Sequence, residues 1–285
     1  MKQLILVLSL TIWVGTACMK AQQKEFSEKI SKEVPFGNTS ANTLIIKNVF
    51  GSIDIQGYNG DKVVMEVMRI ITAKSVEDLE LGKKELQLKV TTDPDRLILR
   101  PDAPYIEFDD DNLRYNWCNQ EEWPYDHSLH FDVKVPWSVK INISTINDGE
   151  ILVKNMKGDY LKVNNINGGI TLENVSGQTD LHCINGDVSI AYVNNPTEDS
   201  KYYSLNGDIN VKYQQELSAN VSFKTMNGEL FTDFDIAKQY MDAKRSFEGK
   251  KAKYTYQATP KLQIGKGGIA LDFETLNGDV YLKKI

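Results

Sequence analysis

One phrase returns along this sequence: apolar, any, apolar, any, small polar, apolar, Asn, Gly, acid, apolar, any, apolar. It is clearest as V-N-N-I-N-G-G-I-T-L from Val163, L-H-C-I-N-G-D-V-S-I from Leu181, Y-Y-S-L-N-G-D-I-N-V from Tyr202 and F-K-T-M-N-G-E-L-F-T from Phe223. Another copy begins at Phe273, and one from Ile143 carries an extra residue, Asp148, between its Asn and Gly. Half-copies turn at Gly158 and Gly177, so the chain turns about every 9–11 residues, the spacing of short strands in an all-β fold. Such a repeat decides the architecture before any other feature.

The alternation of apolar and polar residues on both sides of each turn means that every strand buries one face. Asn-Gly supplies the turn because both residues tolerate positive φ. A single unit cannot bury its own apolar face, whereas units stacked at roughly 4.8 Å per rung build a continuous core and set like residues above like. Stacking predicts one column of Asn147, Asn167, Asn185, Asn206, Asn227 and Asn277, with amides hydrogen-bonding along it. Thr145, Asn165, Cys183, Ser204, Thr225 and Thr275 form a small polar column beside it. The expected fold is all-β: a β-helix-like solenoid of stacked short strands with Asn-Gly turns and short helical insertions.

Residues 1–21 stand apart. Lys2 precedes an apolar run, Leu4 to Val14, that is too short to span a bilayer, and Gly15, Thr16 and Ala17 follow, as in a secretory signal peptide. Cleavage near Ala21 gives a soluble exported protein, and cleavage before Cys18 gives a thiol for a lipid anchor. G-T-A-C lacks the usual aliphatic residue three places before the Cys, which disfavours the anchor. Loss of residues 1–21 makes the formal charge of −6 two units more negative. With acids and bases interspersed and no basic stripe, nucleic acid is excluded as a partner.

Residues 22–140 read as an N-terminal β region, packed on or continuous with the solenoid of residues 141–285. I-K-N-V-F-G-S-I-D-I from Ile46 already repeats the phrase, with Phe50 in place of Asn. Lys62 to Ile71 reads as a strand, Ser75 caps a short helix, and Glu85 to Arg100 reads as a hairpin across Asp93-Pro94-Asp95. Residues 101–128 break the pattern with Tyr105, Phe108, Asp109 to Asp111, Tyr115, Trp117, Cys118, Trp123 and Tyr125, and long insertions of this kind often carry function. A second interruption, 235–268, mixes a helix around Ala237 to Lys244 with a strand around Tyr254.

The exported leader, the opening L-I-I-K-N-V-F-G-S-I-D-I and the reiterated I-N-G-D-V and L-N-G-D-I units resemble the bacterial putative-adhesin families, including the head GIN type common in Bacteroidetes. The resemblance covers nearly all of the chain beyond the leader. It implies an exported β-solenoid protein and no catalytic residues.

No nucleophile elbow, zinc-protease helix or phosphate loop is present in the sequence. Catalytic, cofactor and metal sites are therefore not expected. His127, His130, His182, Cys118 and Cys183 contain zinc-ligand types, but His130 alternates with core residues and Cys183 occupies the small polar column. Cys118 and Cys183 form a disulfide or stay apart, with Cys183 at an inward corner. Asp159, Asp187, Asp208, Glu229 and Asp279 make an acidic column suited either to Ca²⁺ or to plain turn chemistry, and Gly169 interrupts it. Tyr115, Trp117, Trp123 and Tyr125 either bind a glycan or envelope protein or cap an open solenoid end. The sequence thus points to a non-enzymatic envelope or surface protein, a binding scaffold located in the periplasm, outer membrane or cell surface. The alternatives are a polysaccharide-acting β-helix enzyme using Asp109 to Asp111 and Glu121, and a purely structural envelope protein.

Overall fold

The computed structural model describes residues 23–116, 123–240, 243–248, 251–256 and 261–285. In chain order the first elements are β1 (Lys24–Pro35), β2 (Thr43–Lys47), β3 (Ile53–Tyr58), β4 (Lys62–Ala73), α1 (Val76–Glu85), β5 (Gln87–Thr92) and β6 (Arg96–Asp102). The insertion contributes β7 (Glu107–Asp109) and β8 (Arg114–Asn116), and β9 (Tyr125–Pro136) follows. The repeats supply β10 (Lys140–Thr145), β11 (Ile151–Lys154), β12 (Tyr160–Asn167), β13 (Ile170–Val175), β14 (Gln178–Asn185), β15 (Val188–Tyr192), β16 (Ser200–Asn206), β17 (Ile209–Tyr213), β18 (Ala219–Lys224) and β19 (Leu230–Thr232). After these come β20 (Ile236–Tyr240), β21 (Ala243–Glu248), β22 (Lys251–Tyr256), β23 (Lys261–Ile264), β24 (Ile269–Asn277) and β25 (Val280–Lys284).

Each phrase is one rung: its first half lies in one sheet, the Asn-Gly corner turns the chain, and its second half lies in the other sheet. The rungs stack in parallel in the order β6/β9, β2/β3, β10/β11, β12/β13, β14/β15, β16/β17, β24/β25, β18/β19. This is not chain order. The rung β2/β3 is held between a later rung and β10/β11, and β24/β25 is inserted between β16/β17 and the earlier β18/β19. Antiparallel strands close the ends: β4 and β1 beyond β9, β5 beyond β6, and β23 and β20 beyond β18.

The corner explains the phrase residue by residue. Asn167 donates its amide to Asn147 Oδ1 (2.7 Å), Asn185 to Asn167 (2.8 Å), Asn206 to Asn185 (2.9 Å), Asn277 to Asn206 (2.8 Å) and Asn227 to Asn277 (2.9 Å). The expected Asn column therefore forms, with Asn277 ahead of Asn227. Its backbone chemistry differs from a hairpin turn: among non-glycine residues positive φ occurs at Leu113, Asp148, Asn155 and Asn174, not at these asparagines. Glycine is required by twist and by closeness: Gly168, Gly207 and Gly278 have φ of +151°, +154° and +157°, and a Cβ on Gly207 would lie 2.2 Å from the Gly186 carbonyl oxygen and one on Gly278 2.1 Å from that of Gly207. The extra Asp148 is absorbed as one left-handed residue, φ +56°.

The small polar column serves the carbonyls left in that crowded corner. Thr145 Oγ1 donates to Gly51 O (2.8 Å), Asn165 Nδ2 to Gly149 O and Gly169 O (3.0 Å each), Cys183 Sγ to Gly186 O (3.2 Å) and Ser204 Oγ to the same oxygen (3.0 Å). Buried carbonyls without such donors each cost on the order of 1–3 kcal/mol. The acidic column is likewise structural: Asp187 accepts from the Asp208 N–H (2.9 Å), Asp208 from the Asp279 N–H (2.8 Å) and Asp279 from the Glu229 N–H (2.8 Å).

Between the sheets Leu, Ile and Val of successive rungs fill the core, joined in its middle by tyrosines. Tyr192 stacks on Tyr213 and Tyr202 on Phe273, and a buried hydroxyl chain runs from Thr179 Oγ1 to Tyr192 (2.6 Å), Tyr202 (2.8 Å) and Tyr213 (3.0 Å). Helix α1, capped by Ser75, packs beside β4 and β9, and Arg69 holds its C-terminal end through the Leu86 carbonyl while pairing with Glu28. The helix expected around Ala237 to Lys244 does not form: residues 236–240 are β20, paired with β23, and residues 243–248 are β21, paired with β22. Pairing at the sheet edge overrides the helix-favouring composition there.

Two outcomes test the stack. Gly207→Val should cost about 2–4 kcal/mol in urea unfolding, through steric overpacking and strain, while Asp208→Asn, which keeps an accepting oxygen for the Asp279 N–H, should cost less than about 0.5 kcal/mol. Deleting residues 269–285 should expose β18/β19 as well as removing β24/β25, so hydrogen exchange at residues 219–232 should become fast; unchanged protection there would refute the inserted order.

Candidate binding surface

The insertion divides into two aromatic groups. In the first, Tyr105 stacks on Trp123 (centroids 3.9 Å) and meets Tyr125 edge-on (5.7 Å), while its hydroxyl lies 3.1 Å from His127 Nδ1. Tyr125 is 3% exposed, and its hydroxyl donates to Glu85 at the end of α1 (3.0 Å). Gly82 makes room for it, since a Cβ there would come within 2.8 Å of the Tyr125 ring. In the second group Tyr115 packs edge-on against Phe108 and donates to the Lys47 carbonyl (2.5 Å), while the Arg100 guanidinium lies 4.7 Å from the Phe108 ring centre.

The second group covers the outer face of β2 and β6. Ile45, Lys47, Ile98 and Arg100 alternate with the core residues of these strands yet are all buried, and the β7–β8 hairpin reaches Lys47 through Tyr115 and Arg100 through Phe108. Burial, reinforced by nearby Lys162, lowers the Lys47 ammonium to about 8, and its Nζ is held by Asn142 Oδ1 (2.8 Å). Burial raises the phenols of Tyr115 and Tyr125 well above the ordinary tyrosine range and pushes Tyr105 up to about 12, so all three are neutral hydrogen-bonding groups.

Of the four aromatics singled out in the sequence, Trp123 and Tyr125 meet through Tyr105, Tyr115 belongs to the other group, and Trp117 lies outside the described residues. Trp123, braced by Tyr105, and Tyr115, braced by Phe108, are both half-buried, whereas Tyr125 is buried. Asp109 is a turn cap: its carboxylate accepts from Asn112 Nδ2 (2.7 Å) and from the backbone N–H of Asn112 and Asp111, and these bonds hold it below the ordinary carboxylate range. A carboxyl held ionised in this way is a poor proton donor. Glu121 and Cys118 lie outside the described residues, as do residues 1–21. Cys183 is a buried free thiol, raised to about 11 by burial. Among the described residues no group of three metal-ligating side chains occurs, and no helix is long and apolar enough to cross a membrane.

A surface missed by the sequence reading lies on the outer face of β14, β16, β24 and β18, where His182 stacks on Tyr203 (4.3 Å) in an open, charged trough. Its signal was present in the positions between the apolar residues of each phrase. Only the true rung order brings those positions together.

Two sheets of parallel rungs, a glycine corner and antiparallel end strands define an outward-facing β-solenoid with a hairpin laid over one end. The chain belongs to the Toastrack DUF4097 family, whose model matches residues 26–264. Solved structures similar to it include a "putative cell adhesion protein" from Clostridium sporogenes, 14% identical, with a TM-score of 0.47 over 91% of this chain and 100% of the other. A "putative lipid binding protein" from Parabacteroides distasonis is 13% identical, with a TM-score of 0.27 over 90% of this chain and 96% of the other. Curated proteins give no match.

His127 yields a pH test. Burial lowers its imidazole to about 4, and its Nε2 has no partner among the described residues. The unfolded chain takes up this proton near pH 6.5 and the folded chain only near 4, so stability should fall as pH drops through that window, by at most about 1.4 kcal/mol per unit from this group. His127→Gln should flatten the slope of unfolding free energy against pH between 6.5 and 4.5. An unchanged slope would show that the imidazole titrates normally.

Proposed function

We propose that this protein is a non-enzymatic exported scaffold of the cell envelope or surface that binds a glycan or an envelope protein through its aromatic insertion. The observation that carries the reading is the Trp123–Tyr105 stack, a half-open indole fixed on a packed platform. A large, braced aromatic offers contact area with little conformational entropy left to lose, which is what binding anchors require. The solenoid beneath supplies rigidity, since its inward residues and corner groups are spent on holding rungs together. Export is supported by the leader-like residues 1–21, and the adhesin-like role by the resemblance of the Asn-Gly phrase to the head GIN type.

Trp123→Ala, alone and combined with Trp117→Ala, is the test. The stack contributes about 1 kcal/mol beyond its burial, and for a chain of this size each kcal/mol moves the melting temperature by roughly 2–4 °C, so the fall should be a few degrees while binding to purified envelope fractions is lost. A much larger fall in melting temperature would assign these aromatics to capping. Intact binding in a stable double variant would move the site elsewhere.

A further inference from the structure

The trough on the outer sheet face has a volume of about 560 Å³ and uses no residue of the insertion. Strand register sets Asp180, Lys201 and Asp272 in one row across three rungs, and His182, Tyr203 and Glu274 in the next. The carboxylates are held in place: Asp180 accepts from Tyr160 (3.1 Å) and pairs with Lys162 (3.2 Å), Asp272 accepts from Ser222, and Glu274 pairs with Lys224 (2.5 Å). Each still has lone pairs to offer. No side chain among the described residues occupies the Lys201 ammonium, the Tyr203 hydroxyl or the His182 ring nitrogens, and burial keeps that imidazole below its ordinary value and so neutral at pH 7.

The charge balance selects the ligand. An anion entering the trough meets Asp180, Asp272 and Glu274, and a cation meets Lys201, Lys224 and Lys261, so neither gains a field of one sign. A molecule carrying many hydroxyls, each able to donate and accept, satisfies both kinds of group at once. The stacked His182–Tyr203 pair adds a flat wall for the apolar edge of a ring. The donors and acceptors recur from rung to rung, roughly 4.8 Å apart, so they suit an extended chain rather than one enclosed residue. We infer that this trough is a second binding site, for a neutral linear oligosaccharide held along its length by Asp180, Lys201, Tyr203 and Asp272.

Titration calorimetry of the full chain with cellohexaose, chitohexaose and xylohexaose, and with hexagalacturonate as the acidic comparator, tests this. At least one neutral hexasaccharide should bind saturably and more tightly than hexagalacturonate. Tyr203→Ala and Lys201→Gln should each weaken that binding by about tenfold or more, while Trp123→Ala leaves it within about twofold. Lys201 is exposed, so Lys201→Gln keeps the fold even if Tyr203→Ala disturbs it. The inference is overturned if none of the three neutral sugars binds, if hexagalacturonate binds more tightly, or if Lys201→Gln with native circular dichroism binds as well as wild type. Loss of binding in Trp123→Ala alone would also overturn it, by placing the sugar on the insertion.

Discussion

Everything in this molecule hangs on how closely one backbone corner can approach the next. At each Asn-Gly corner the glycine Cα faces the preceding rung's carbonyl at a distance that leaves no room for a Cβ, as at Gly168, Gly207 and Gly278. That approach lets the Gly186 N–H reach Asn206 O and the Gly207 N–H reach Asn277 O, both at 3.0 Å, so the corner continues the hydrogen bonding of the sheets. Three side-chain columns then follow from one geometry. Asparagines bridge outside, small polar groups feed the buried carbonyls inside, and carboxylates take the N–H groups that begin the second strand.

The same logic accounts for the exceptions. Phe50 stands where the asparagine column ends, and there it packs edge-on against His127 instead of extending an amide chain. Asn48 takes the small polar position of that rung and donates to Gly51 O and Leu129 O, so the buried corner is served even though the phrase has changed. Cys183 does the work of a serine, which is why a thiol sits comfortably in a column of hydroxyls and amides.

Much of this was legible because the repeat is periodic: the Asn column, the inward Cys183, the Ser75 cap and the β5–β6 hairpin all follow from spacing and side-chain chemistry. Rung order was not legible. The copies are similar enough to stack on any neighbour, and only the long-range pairings Asn206–Asn277 and Asn277–Asn227 reveal which neighbour is chosen. Positive φ was the right reason at Gly168, Gly207 and Gly278 and the wrong one at the asparagines and at Gly186 and Gly228, because sequence alone cannot separate a residue that must twist from one that must be thin. The strand at 236–240 was hidden by its composition, and the trough by its dependence on rung order. The insertion's division into a Tyr105 group and a Tyr115 group was hidden for a further reason: an aromatic-rich loop does not say which surface it will lie on.

The inserted position of β24/β25 bears on how the chain comes to be folded at all. Asn227 finds its amide partner fifty residues downstream, so the β18/β19 rung is synthesised well before the surface on which it rests exists. Contacts of such separation form late and slowly. Until then the rung beneath it offers an unsatisfied edge, and the stack stays open at that point. A nascent chain built this way can complete its stack only after its last two strands, β24 and β25, have been made.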